Sequence, residues 1–163
     1  MAVNVRWQVA GTEEASQRLN RWARKLQNPQ PAFQDMMDHM AGVQKDWFAT
    51  KGQGTWAPLS EPYATWKKKR FPKRGILHGP DRPGHRGLQL RDQLTKRPFG
   101  FETITDAGFT FGSTLDYAPH HQTGTPRMPA RKPMAPLTPA TITALENILR
   151  NHVVGETIER NMR

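Results

Sequence analysis

Residues 3 to 9, VNVRWQV, alternate Val3, Val5, Trp7 and Val9 with polar side chains, the period of two expected of a half-buried strand. Gly11 ends the alternation. Thr12 is placed to cap a helix whose first turn carries Glu13 and Glu14, where the helix dipole favours negative charge. Ala15, Leu19, Trp22 and Leu26 follow at helical spacing as one apolar stripe. Asn28 and Pro29 punctuate. A second helix opens by Pro31 or Ala32, because proline is tolerated in a first turn and not later. Its stripe is Phe33, Met36, Met37, Met40, Val43 and Trp47, with Phe48 beside it; the methionines read as gap-filling core rather than as a cofactor box. The two helices are expected to form an antiparallel pair packed on a sheet.

From Thr50 to about Pro98 the periodicity fails and glycine and proline become frequent. Two short helices are expected there. One runs near Glu61 to Arg70, with Ser60 as its cap and Pro72 as its stop, and the other runs near Leu88 to Lys96. Between them FPKRGILHGPDRPGHRG, residues 71 to 87, reads as a mobile basic loop. A hairpin follows: Phe99, Phe101, Thr103 and Thr105 alternate on one strand and Phe109, Phe111 and Ser113 on the other, with a three-to-five residue turn containing glycine. Residues 116 to 138 are proline-rich and expected to be extended. Thr138 and Pro139 then open a last helix with Ile142, Leu145, Ile148, Leu149 and Val153 on one stripe. The expected fold is therefore α+β, a single domain over 1–163. A small, mostly antiparallel sheet, the N-terminal strand plus the hairpin, is packed by two N-terminal helices and a C-terminal helix, with an irregular basic arm at about 51–98. No repeat at a fixed period is present.

Composition narrows the possibilities. A compact chain of 163 residues buries roughly 70% of its unfolded surface, enough for one core. Its apolar fraction of 36% leaves room for much irregular sequence. The lack of cysteine excludes disulfides, thiolate metal sites and cysteine nucleophiles. With no basic-then-apolar leader and no apolar run of about 18 residues, the chain is expected to be soluble, without a cleaved signal or a membrane partner.

The net charge of +10 is local. Eleven Lys and Arg lie between Lys67 and Arg97 against Asp81 and Asp92, leaving thirteen basic and twelve acidic residues elsewhere. His120 and His121 adjoin Asp116, and His78 and His85 lie in the basic loop, but zinc-type spacing is absent, so no metal is expected. Gly52 and Gly54 are not followed by the Gly-Lys-Ser/Thr of a phosphate loop. No cofactor site and no catalytic constellation can be assembled, and an enzyme is not expected. The basic segment has three readings: a phosphate-binding arm on which Trp66 or Phe71 stacks bases, a solvated face, or a dock for an acidic protein surface.

Three segments in order add a resemblance. WFATKGQGTWAPLSEPYATWKKK is similar to a helix-ending aromatic, a glycine loop, Trp-x-Pro-Leu-Ser, then threonine and lysine. GILHG and GLQLRDQL are similar to an Ile-Leu followed by Gly-x-Leu. DYAPHHQTG and MPARKPMAPLT are similar to Tyr-Ala, His-Gln-x-Gly and Pro-Ala-Arg-x-Pro. Together, over about residues 45 to 138, they resemble the phage virion morphogenesis family, the tail-completion or head-tail joining proteins of Mu-like tailed phages. The insert from Lys73 to Arg86 departs from that pattern. The resemblance implies a non-enzymatic virion protein of the neck or tail end, made in the host cytoplasm. It implies a homo-oligomeric ring, hexamer favoured over dodecamer, joining the head connector or adaptor to the tail terminator or tail tube, with transient contact to phage DNA as a further expectation. Partner or DNA contacts then fall on Lys67, Lys68, Lys69, Arg70, Lys73, Arg74, Arg82 and Arg86. Trp56, Trp66, Tyr117, His121 and Arg131 become arm or inter-subunit anchors. The alternative is a nucleic-acid-binding protein using residues 67 to 97.

Overall fold

The computed structural model describes residues 11–72, 74–77 and 90–155. The strand expected at 3–9 lies outside them, as do Lys73, His78, Arg82, His85 and Arg86. Among the described residues the order is α1 (Thr12–Gln27), α2 (Gln30–Ala49), α3 (Glu61–Arg70), α4 (Leu90–Thr95), β1 (Phe101–Thr105), β2 (Gly108–Gly112), α5 (Ala118–Thr123) and α6 (Pro139–Val154). Helices dominate, and the two strands form one antiparallel hairpin, so the protein is a small α+β fold.

α2 is the hub. Ala32, Met36, Met40, Gln44 and Phe48 recur every four residues along one side and are buried together with Met37. That side packs on α6, on α4 and on both strands. Phe33 reaches Phe109 of β2 with ring centres 6.0 Å apart, and Phe99 stacks on Phe111 at 4.4 Å. Arg97 rivets the hairpin to the hub. Its guanidinium donates to both Glu102 carboxylate oxygens, to the Asp38 carboxylate at 2.9 Å and to the Gln34 carbonyl. The Arg97 hydrogen bond holds the Glu102 carboxyl below the usual carboxylate range, so this pairing contributes stability above that range and loses it as acid protonates Glu102.

Several expectations change once packing is in view. α1 does not lie along α2 as its antiparallel mate; it packs on α6, where His152 Nε2 donates to the Lys25 and Asn28 carbonyls. Its apolar stripe is largely uncovered, with Leu19 and Leu26 about three-fifths exposed (60% and 58%) and only Trp22 and Lys25 half-buried. Gly11 rather than Thr12 takes the cap position, and Thr12 begins the helix. In α6 the buried residue is Thr141, while Ile142 points outward.

The hairpin turns its faces the other way from the simple alternation. Glu102 and Ile104 face inward and Phe101, Thr103 and Thr105 outward. Because Thr105 pairs with Gly108, the connection is only Asp106-Ala107. Residues 116 to 138 are not wholly extended, since Pro119 opens the short α5, which Gly124 ends at φ 80°. The expected α3 and α4 are present, and Thr138 caps α6 by accepting from the Thr141 N–H.

α4 meets the hairpin through Gln93, whose Oε1 accepts from the Ser113 hydroxyl and the Thr114 N–H. A methyl group at Gly100 would lie 2.5 Å from that oxygen and 2.8 Å from the Gly112 carbonyl, whereas one at Gly42, exposed in mid-α2, would meet nothing within 4 Å. Gly100→Ala is therefore expected to lower unfolding free energy by about 1–3 kcal/mol. Gly42→Ala is expected to raise it by about 0.5–1 kcal/mol. Urea denaturation of both variants checks the opposite signs.

Candidate functional site

The three sequence segments quoted above meet in one joint. Phe48, Trp56, Leu90 and Leu94 form its buried centre, with Trp47, Ile76, Leu77, Leu115, Ala118 and Met134 packed around it. The Trp56 indole lies edge-on to Phe48 at 5.3 Å. Gly52 makes room for it: the backbone there has φ 63°, and a Cβ would come within 2.5 Å of Trp56 Nε1.

Across the joint runs the proline-rich segment ahead of α6. Trp47 and Trp56 both donate from Nε1 to the Lys132 carbonyl, each at 2.9 Å, so one oxygen is held by two indoles. Buried Arg131 returns the grip, its Nε donating to the Ala57 carbonyl at 2.7 Å and its Nη2 to the Pro58 carbonyl at 2.8 Å. Further along, buried Gln44 accepts from the Ala135 N–H through Oε1.

Beside the joint is a cleft of about 750 Å³. Tyr63 and Lys67, one turn apart on α3, form one wall, and Tyr117, at the N-cap of α5, and His121 on α5 form another. Arg127, Met128 and Arg131 line the approach and Ile76 and Leu77 add apolar surface. No carboxylate is among the described lining residues.

Lys67 is only 6% exposed, and its ammonium sits 5.9 Å from the Tyr63 ring centre. Burial first, then the charges of Arg131 and Arg74, push its pKa down. Among the described residues Arg131 is paired with neutral carbonyls and with no carboxylate, so its charge adds to the field of the cleft. His121 is half-buried with its ring edge-on to Tyr117 at 5.7 Å, and its Nδ1 is buried without a hydrogen-bond partner. Burial, then Arg131 and His120, lower its pKa, so the ring is neutral at pH 7.

The residues singled out from sequence separate into distinct places. Trp56 is core, and Arg131 is the anchor of the proline-rich segment. Tyr117 and His121 line the cleft. Trp66 is 51% exposed and lies between Tyr63, stacked at 5.4 Å, and Phe71, edge-on at 5.8 Å. Lys68, Lys69 and Arg70 are exposed on α3 and Arg74 lies over the Phe71 ring.

The described part of the basic segment is thus put to several different uses. Lys67 turns inward, Lys96 pairs with Asp92 at 3.2 Å, and Arg97 is the hairpin rivet. Sequence reasoning missed Tyr63 and Arg127 as cleft residues and the Lys132 carbonyl as the acceptor of the joint. The four-residue spacing of Tyr63 and Lys67 was a usable signal for a shared face. A backbone acceptor leaves none.

Among the described residues no group of three or more His, Asp or Glu side chains is gathered as a metal site would require, and no helix is long and apolar enough to cross a membrane. The chain matches no protein-family model, no curated protein and no solved structure.

Two outcomes follow from the geometry. Arg131→Lys keeps the charge but cannot serve two carbonyls in a fixed fork, and is expected to cost about 2 kcal/mol of unfolding free energy, read by urea denaturation. For His121 the folded pKa lies below the ordinary value of about 6.5, so the unfolded chain takes up the proton first. Stability then falls as pH drops through about 6.5 and stops falling below the folded pKa. Denaturation of the parent and of His121→Asn at several pH values is expected to show the parent's advantage shrinking across that window.

Proposed function

We propose that this protein is a structural, non-enzymatic component of a tailed-phage virion, a tail-completion or head-tail joining protein that acts as repeated copies in a ring at the neck or tail end. What supports the reading is the convergence of the three segments that carry the family resemblance. Although separated by up to about 85 positions, they are tied to one another by the Trp47, Trp56 and Arg131 hydrogen bonds and by the shared core of Phe48, Trp56, Leu90 and Leu94. The motifs behave as parts of one joint, as a family-defining structural unit would.

The surface suits assembly. Eight large apolar or aromatic side chains among the described residues are exposed, including Leu19, Leu26, Trp66 and Leu137, against nine buried hydrophobic residues. Leu19 and Leu26 on the α1 stripe and the stacked Tyr63–Trp66 pair on α3 group some of them into exposed apolar surfaces that suit protein contacts. Head-to-tail contacts between non-identical faces close into rings where the rotation between neighbours closes, and α1, with its uncovered stripe, and α3, with its aromatic shelf, offer two such faces.

One observation favours the second reading, nucleic-acid binding. The exposed Tyr63–Trp66 stack adjoins the exposed Lys68, Lys69 and Arg70. That reading expects DNA affinity that falls steeply with salt and with charge reversal of those three residues.

The assembly reading expects the chain in purified particles at ring stoichiometry, and unjoined heads and tails when its gene is deleted. Mass spectrometry and electron microscopy of the encoding phage's lysates test both. A chain absent from particles, with joined virions in the deletion, overturns it.

A further inference from the structure

The cleft beside the joint has an unusual balance of groups. Its walls are largely apolar and aromatic, from Tyr63, Ile76, Leu77, Tyr117 and Met128, yet they enclose Lys67 and Arg131 without any carboxylate among the described lining residues. Two like charges are held near each other, and Lys67 sits there despite the cost of leaving water. Among the described residues nothing in the joint needs an ammonium at that position. Arg131 already serves the Ala57 and Pro58 carbonyls, and Lys67 offers a further cation over a tyrosine ring. The His121 Nδ1, buried and unpartnered, is a second unspent polar group lining the same cleft.

We propose that this cleft receives an acidic peptide segment of a partner protein, with one carboxylate taken by Lys67 and Arg131 and a flanking aromatic or aliphatic side chain seated on Tyr63, Ile76 and Leu77. Charge complementarity selects the anion, and the apolar walls select what carries it. A nucleic-acid strand would need an open track of exposed cations, whereas among the described lining residues Lys67 and Arg131 are buried and Arg127 alone is an exposed cation; the exposed lysines of α3 lie outside that lining. The aromatic shelf continues outward from Tyr63 to Trp66, giving a longer segment a surface to follow. A carboxylate between the two cations relieves their repulsion, so binding gains where the empty site loses. The inference deepens the assembly reading, because a joining protein must grip a neighbour's segment, and its test is made on the isolated chain.

The full-length protein is used to select from a random-peptide library, and the leading peptide is synthesised with a fluorescent label for anisotropy titration. Enriched peptides are expected to share an Asp or Glu next to an aromatic or aliphatic residue. Replacing that acid by its amide, or making Lys67→Met in the protein, is expected to weaken binding about tenfold or more, while Lys68→Met changes it less than about twofold. Lys67→Met keeps the aliphatic stem and removes the buried charge, so its Tm is expected to equal or exceed the parent's, which a merely structural lysine would not allow. Arg127→Ala, an exposed change on the cleft wall, is expected to weaken binding several-fold and decides the matter should Lys67→Met fail to fold.

Enrichment of peptides without acids, or equal affinity for parent and both cleft variants, overturns the proposal. So does tight binding of a single-stranded oligothymidylate that depends on Lys68, Lys69 and Arg70 and displaces the peptide, since this assigns the surface to nucleic acid. Failure of the selection leaves incorporation into particles standing, and absence from particles leaves the cleft's peptide binding standing, so the two readings fail separately.

Discussion

The Lys132 carbonyl, held by the indoles of Trp47 and Trp56, is the constraint from which the rest of the arrangement follows. The segment around it contains Pro126, Pro129, Pro133 and Pro136, each without a backbone N–H. Such a chain cannot add itself to a sheet by a regular ladder. It must be tethered by side chains that donate to its carbonyls, or by its own side chains donating elsewhere. Both devices occur within two residues, since Arg131 donates outward to Ala57 and Pro58 while Lys132 accepts from the tryptophans. Buried polar groups are costly unless satisfied, so this reciprocal arrangement fixes the register of the segment against the loop after α2. α6 and the far wall of the cleft take their positions from it.

The fold uses positive charge in two contrasting ways. Arg97 is surrounded by anions and carbonyl oxygen and joins the hairpin to α2. Among the described residues Lys67 faces Arg131, Arg74 and a tyrosine ring. The first pattern stabilises a protein by itself. The second leaves a desolvated charge without a counter-charge among the described residues, and the proposal for the cleft rests on that contrast. Seen this way, the described charges of the 67–97 segment are a sum over residues with different employment.

The helical skeleton was legible because helix periodicity depends on local sequence. Ser60 and Pro72 flanking α3 and Thr138-Pro139 opening α6 are short-range signals that appear where they were expected; in α2 the methionines of the expected stripe are buried, but the buried line runs on through Ala32, Gln44 and Phe48 rather than through Phe33, Val43 and Trp47. Trp56 as core and Arg131 as anchor were also within reach, the first from its place beside a glycine loop, the second from the motif it belongs to.

Other features depended on distant residues. Whether an apolar stripe is covered depends on what packs against it, and α1 carries a clear stripe that α6 covers only in part. Strand alternation indicated two faces for β1 but not which one turns inward; the Arg97–Glu102 pairing and the approach of α2 set that. Charge counting located the basic segment, yet could not separate Lys67 from Lys68, because burial is decided by α5 and the 127–131 segment, some fifty to sixty positions away. Sequence alone thus determined where helices start and stop and which residues have the chemistry to join or bind. Only the tertiary structure decided which of those groups are buried together, because desolvation and hydrogen-bond satisfaction belong to pairs of segments and not to either one.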